Sequence, residues 1–160
     1  MITTAYLYSP TFLEHKEPGH PESPERLNAI LNTLAETGLL ALLTALETVT
    51  ANDAPLEAVH TREHAARVKS LVARGGGHFD ADTYATARSL DAALLAAGAG
   101  VRAVDAVLRG EVDNAFALVR PPGHHAMRSR AMGFCIFNNI AVAAQHALAA
   151  HRLERVLIVD

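Results

Sequence analysis

The chain has 160 residues, a formal net charge of −3, 50% hydrophobic residues by a broad count and only 5% aromatic ones. With 19% charged residues it is too apolar for a disordered chain, and its mildly acidic balance excludes a nucleic-acid groove built on bulk positive charge. Its one cysteine, Cys135, excludes an intrachain disulfide, and no apolar run reaches the length of a membrane span, since Asn138 and Asn139 interrupt the longest. The N-terminus, MITTAYLYSP, lacks the basic start and apolar stretch of a signal peptide. The expectation is one α/β or α domain in the cytoplasm, with neither membrane nor nucleic acid as a partner.

Residues 4–9, with Tyr6, Leu7 and Tyr8, read as a short strand. Pro10, Pro18, Gly19, Pro21 and Pro24 then mark a long loop. Ser23 as N-cap and Pro24 in the first turn open a helix whose apolar face is Leu27, Ile30, Leu31 and Leu34, ended by Gly38. A strand is expected at 46–50 and a helical stretch through Leu56 and Val59. A second helix, capped by Thr61, runs to about residue 74, where Gly75, Gly76 and Gly77 stop it. The segment 78–88 reads as a polar loop carrying Asp80 and Asp82. Ser89 caps a long helix with Leu90, Ala93, Leu94, Ala97, Val101 and Val104 on one stripe, and Gly110 ends it.

The last part of the chain is read as strand, helix, strand. Residues 115–119 (AFALV) and 155–159 (RVLIV) are apolar runs of the buried-strand type, and a helix capped by Asn138 or Asn139 lies between them. A βαβ unit of this kind implies two parallel strands, with ligands bound beyond their carboxyl ends. Two features project there: the loop Arg120-Pro121-Pro122-Gly123-His124-His125, and Asp160 directly after the second run. If the strands are neighbours, about 4.8 Å apart, the Asp160 carboxylate reaches an imidazole across the gap. Prolines stiffen the loop, and imidazole titrates near neutrality, so the His124-His125 pair suits proton transfer, with an Asp fixing the tautomer. The plain alternative is two histidines in a surface turn.

The stretch RPPGHHAMRSRAMGFCIFNN, followed by RVLIVD, resembles the zinc-dependent histone deacetylase and acetylpolyamine amidohydrolase family in its class II and bacterial form. GHPESPERL, VHTREH and GGGHFDADTY resemble other family segments less specifically. The resemblance implies an α/β fold with a central parallel sheet, shared with arginases, and hydrolysis of acetyl-lysine or small acylated amines. It implies a zinc ion that polarises the carbonyl and activates water. It places His124 and His125 as the paired catalytic histidines, with the division of acid and base roles open. It assigns the Gly133 carbonyl to the substrate amide N–H and Phe134 to one wall of a narrow tunnel. Asp160 orients His124 and helps hold a structural monovalent cation, Asp82 grips substrate at the rim, and Arg26 lies in an internal channel. The family pattern continues past Asp160 as Asp-x-Asp-x-His, so zinc ligands and a catalytic tyrosine are expected beyond this residue and none for zinc within the chain. The expected domain organisation is therefore residues 1–160 as the N-terminal portion of one deacetylase domain, inactive alone, with a homo-oligomer or a complementary C-terminal chain as partner. A non-catalytic remnant that binds a partner is the alternative.

Other patterns carry less. His60-Thr61-Arg62-Glu63-His64 matches the H-x-x-E-H pattern of some zinc proteases, but Thr61 as N-cap puts His60 outside the helix. Residues 98–103 (GAGVRA) match a dinucleotide fingerprint in letters but fall inside a helix, where small residues serve packing. Cys135, among Phe134, Ile136 and Phe137, reads as a buried inert thiol. Arg26 in a first helical turn opposes the helix dipole, which calls for a carboxylate or carbonyl partner. His15, His20, His78, His146 and His151 show no ligand spacing, although His20 and His78 suit a pocket wall.

Overall fold

The computed structural model describes residues 2–160. In chain order the elements are β1 (Thr4–Leu7), a 3₁₀ turn (Pro10–Glu14), α1 (Glu25–Glu36), a second 3₁₀ turn (Leu39–Leu42) and β2 (Thr44–Leu46). There follow α2 (Asp53–Val59), α3 (Arg62–Ala73), β3 (Gly76–His78), β4 (Tyr84–Thr86), α4 (Ser89–Leu108), β5 (Asn114–Ala117) and α5 (Asn139–Ala150). The protein is α/β. A three-stranded parallel sheet has the order β2-β1-β5, with Ala5 opposite Thr44 on one side and Ala115 on the other. Parallel pairing requires crossovers. The first 3₁₀ turn and α1 lie in the connection from β1 to β2, and α2 through α4 in the connection from β2 to β5.

Local chemistry accounts for most element ends. The Thr61 hydroxyl accepts the His64 N–H at 3.2 Å at the start of α3, and Asn138 Oδ1 accepts the Ala141 N–H at 3.0 Å at the start of α5. Gly110, with φ +72°, turns the chain out of α4. Pro24 is the N-cap of α1, one position later than the sequence reading.

Three expectations are corrected. The polar loop at 78–88 is in part a hairpin, β3 pairing β4 antiparallel, because Gly76 lets the two backbones approach: a Cβ there would lie 2.3 Å from the Ala85 carbonyl. The strand expected at 46–50 lies at 44–46. The run 155–159 is not a strand. Its residues are exposed, Leu157 and Val159 at 86% and 87%, and no ladder joins it to β5. Apolar character alone does not make a strand: the backbone groups must find a ladder, and here they stay open to water. The parallel partners of β5 and β2 are instead supplied by β1, far away in sequence.

α4 is the spine of the molecule. Ala93 and Ala97 pack with Leu56, Val68, Ile136 and Phe137, whereas Ala92 and Ala96 pack with Phe12, Leu27 and Leu118, and Ala106 lies under Ala5 and Val112. One helix can serve three clusters because its fully buried positions are nearly all alanine or glycine. Gly98 carries this furthest, since a Cβ there would lie 1.8 Å from the Val49 carbonyl and 2.7 Å from the Ala51 N–H. The GAGVRA letters thus mark backbone contact between α4 and the segment after β2. Gly→Ala inside an exposed helix stabilises by about 1 kcal/mol. Gly98→Ala is expected to do the opposite, lowering stability by more than about 2 kcal/mol through overpacking, measured as a fall in the urea midpoint at unchanged m-value.

Candidate active site

Val119 carries the chain out of the sheet, and the next side chain turns inward. Arg120 is fully buried (0% exposed). Its Nε and Nη2 donate to Glu22 Oε1 and Oε2, each at 2.7 Å, and its Nη1 donates to the Phe12 carbonyl at 3.0 Å. This two-pronged pair ties the histidine loop to the Pro21-Glu22-Ser23-Pro24 stretch. Glu22 also faces Arg26 at 3.5 Å, and Arg26 Nη2 donates to the Val119 carbonyl at 2.9 Å. Carboxylate and carbonyl together offset the unfavourable helix-start position of Arg26.

Beyond Arg120, a turn closed by the Ala126 N–H on the Gly123 carbonyl (3.1 Å) presents His124 and His125 at its exposed centre. The ring centroids lie 4.1 Å apart at 55°. The capping residues of α5 hold this turn as well. Asn138 Nδ2 donates to the Ala126 and His124 carbonyls at 3.0 and 3.4 Å, and Asn139 Nδ2 donates to the Pro121 carbonyl at 3.1 Å. A Cβ on Gly123 would lie 2.4 Å from the Asn139 nitrogen, so only glycine lets the loop lie on the start of α5.

A second tight turn adjoins the first. Met132 and Cys135 exchange both backbone hydrogen bonds, at 3.1 and 3.0 Å, around Gly133 and Phe134. Both central residues have positive φ, +57° and +68°. That is unstrained for glycine and costs a bulky residue roughly 1–3 kcal/mol. The Phe134 N–H donates to Thr83 Oγ1 at 3.0 Å, and its ring meets the His20 edge at 4.9 Å. A Cβ on Gly133 would lie 2.8 Å from the His125 side chain, so the imidazole rests directly on the glycine backbone. Cys135 Sγ donates to the Gly133 carbonyl at 3.2 Å, and burial pushes its thiol pKa up, as an unreactive thiol requires.

The remaining candidates border these turns. The exposed Asp82 side chain accepts from the Thr83 hydroxyl (3.2 Å), and its backbone carbonyl accepts from His20 Nε2 (3.0 Å). His20 Nδ1 lies 3.1 Å from both the Glu22 N–H and the Glu22 carbonyl, so this ring joins the Asp82 loop to the backbone of the buried ion pair. His124, Arg26, Val119 and Asn139 line a largely apolar cavity of about 450 Å³ behind the turn. His124, Asn138 and Asp160 line another, of about 370 Å³. Asp160 therefore faces the same cavity as His124, although no hydrogen bond joins the two among the described residues. Nor does any group of three His, Cys, Asp or Glu ligand atoms converge beside His124 and His125. The described residues do not by themselves hold the zinc that the resemblance implies.

Sequence reasoning missed the Arg120–Glu22 pair. Its signal was an arginine placed between an apolar run and two prolines, where solvation is hard to supply. It also left His60 and His64 open. His60 Nδ1 donates to the Met127 carbonyl (3.0 Å) and its Nε2 accepts the Asn138 N–H (2.9 Å). His64 Nε2 donates to the Ile136 carbonyl at 2.9 Å. Both rings are buried and brace the histidine loop from beneath, whereas Glu63 faces solvent. Burial, with the neighbouring His64, lowers the His60 pKa to about 4. Burial, with Arg120 and His20 nearby, lowers that of His15 to about 3, where it stacks on Tyr84 at 4.4 Å and bonds Ser89 Oγ at 2.7 Å.

Two outcomes follow. Glu22→Gln or Arg120→Met is expected to cost about 3–5 kcal/mol, because each strands a buried charge, read from denaturant midpoints. His15 and His60 are neutral when folded and protonate near pH 6.5 when unfolded. Their stabilisation is complete above pH 6.5 and is lost as pH falls toward 4, by up to about 1.4 kcal/mol per pH unit for each ring. His60→Gln is expected to flatten that slope, measured by urea titration between pH 7 and 4.5.

Residues 20–160 match the family model of the histone deacetylase domain. The chain is 44% identical over 142 residues to a histone deacetylase-like amidohydrolase of Pseudomonas aeruginosa, covering 89% of this chain and 37% of that protein. It is 45% identical over 146 residues to the human polyamine deacetylase HDAC10, covering 87% of this chain and 22% of that protein. The crystal structure of the HDA15 HD domain superposes with a TM-score of 0.89 at 40% identity, over 94% of this chain and 44% of that one. The chain thus spans less than half of each of these relatives, and through that span it belongs to the histone deacetylase domain family.

Proposed function

We propose that residues 1–160 are the N-terminal portion of a deacetylase domain that hydrolyses the amide of acetyl-lysine or of a small acylated amine. One observation carries the reading: two imidazoles in contact, held on a braced turn, with His125 seated on the Gly133 backbone next to the strained Phe134. Amide hydrolysis needs a proton taken from water and a proton given to the leaving amine, and such a pair can do both near neutral pH. In this reading one histidine receives the water proton and one of the two protonates the amine. The Gly133 carbonyl accepts the substrate N–H, the Phe134 ring flanks the acyl-amine stem, and Asp82 contacts the substrate at the rim. Arg26 lines the cavity behind the turn. Asp160 orients His124 and contributes to a monovalent-cation site. Zinc ligands belong to the continuation of the domain, and the complete protein works in the cytoplasm.

The exposure of Phe116, Ile140, Ile158 and Val159 near this end of the sheet supports a continuation, or a complementary chain, that covers them. In the longer protein, His124→Ala and His125→Ala are each expected to lower turnover of an acetyl-lysine peptide or an acetylated polyamine by about 10²–10⁴-fold while leaving the zinc content unchanged. Wild-type turnover in either variant overturns the proton-transfer assignment. Loss of zinc in either overturns the reading of these two rings as non-ligands.

A further inference from the structure

At the far end of α5, a second cluster of chemistry-bearing groups has no part in the reading above. Asp105 of α4 faces His146 of α5 and His151, the residue that caps α5. His146 Nε2 and His151 Nε2 both lie 2.7 Å from the same oxygen, Asp105 Oδ1. The three atoms lie within 4.8 Å of one another, and all three residues are half-buried. Arg109 Nη2 donates to the other carboxylate oxygen, Oδ2, at 3.2 Å. His146 is seven positions beyond Asn139, about 10 Å along the helix at 1.5 Å per residue, so this cluster is separate from the His124 turn.

We propose that Asp105, His146 and His151 form a site for one divalent transition-metal ion, Zn²⁺ by ligand chemistry. Two neutral imidazoles and one carboxylate are the donor set that such ions take, leaving a fourth position for water. Bonds of 2.0–2.1 Å in a tetrahedron place ligand atoms about 3.3 Å apart, so each imidazole–carboxylate separation needs to open by only about 0.6 Å. Arg109 fixes the carboxylate through Oδ2 and leaves Oδ1 free, which is the part an outer partner plays at a metal site. The chain is also bent to deliver His151. Arg152 takes a left-handed φ of +56°, and the Leu153 N–H returns to the Ala147 carbonyl at 3.4 Å. A bound ion would clamp the end of α5 to α4 and fix the start of the segment that ends at Asp160. The i, i+5 spacing of the two histidines does not suggest a site, because the third ligand comes from a different helix and the second lies past the helix end.

The test uses the 160-residue chain, stripped with chelator and titrated with Zn²⁺ against a chromophoric competitor. One Zn²⁺ per chain is expected, with a higher thermal midpoint on addition. Asp105→Asn and His151→Ala should each weaken binding at least tenfold and abolish the midpoint shift. His64→Ala and His125→Ala should bind as wild type does. Co²⁺ should give the intense visible absorption of a four-coordinate ion in wild type and not in His151→Ala. Substoichiometric binding by the folded wild type overturns the proposal. So does binding that survives both Asp105→Asn and His151→Ala, or that is lost in His64→Ala.

Discussion

The two-pronged Arg120–Glu22 pair is the constraint from which the candidate site takes its shape. A guanidinium with no solvent exposure must find its partners inside the protein, and it finds both carboxylate oxygens of Glu22 and the Phe12 carbonyl. Breaking it would leave one uncompensated charge in a dry place, which is worse than having neither group. The pair therefore forces the chain after β5 and the chain before α1 to meet. Two contacts near the site follow from that meeting: Arg26 reaches the Val119 carbonyl, and His20 bridges Glu22 to the Asp82 loop.

A second constraint is steric. α4 has small residues at its fully buried positions, so the sheet, the early 3₁₀ turn, the segment before α2 and α5 can all press on it. The low aromatic content of the chain fits this design, since close approach of backbones replaces large interdigitating side chains. Glycine appears where approach is closest: Gly98 at the Val49 carbonyl, and Gly123 at the Asn139 nitrogen.

Six of the nine histidines form two populations by environment. His15, His20, His60 and His64 hydrogen-bond to backbone or buried hydroxyl groups and act as rigid joints. His124 and His125 sit exposed on a turn whose supports are made by others, among them His60, which accepts the Asn138 N–H. Burial lowers the pKa of His15, His60 and His64, which makes those three rings unsuited to taking a proton at neutral pH. One residue type thus serves as both scaffold and candidate reagent in the same few ångströms.

The sequence by itself determined the helices, the N-cap at Thr61, a cap at Asn138 or Asn139 and the histidine turn, because these rest on periodicity, capping chemistry and turn residues close together in the chain; the parallel α/β class came with the family resemblance of its motifs. It pointed to Arg26 as needing a partner, since a cation at a helix start is locally unfavourable. It misled at 155–159, where apolar letters suggest a strand but no ladder forms, and at 78–88, where polar letters hide a hairpin. Only the tertiary structure decided which strands pair, that Glu22 meets Arg120 across 98 positions, that His125 rests on Gly133, and that Asp105 lies between two distant histidines. Those are contacts between segments remote in the chain. Their geometry is set by packing around α4, and no local pattern of residues encodes it.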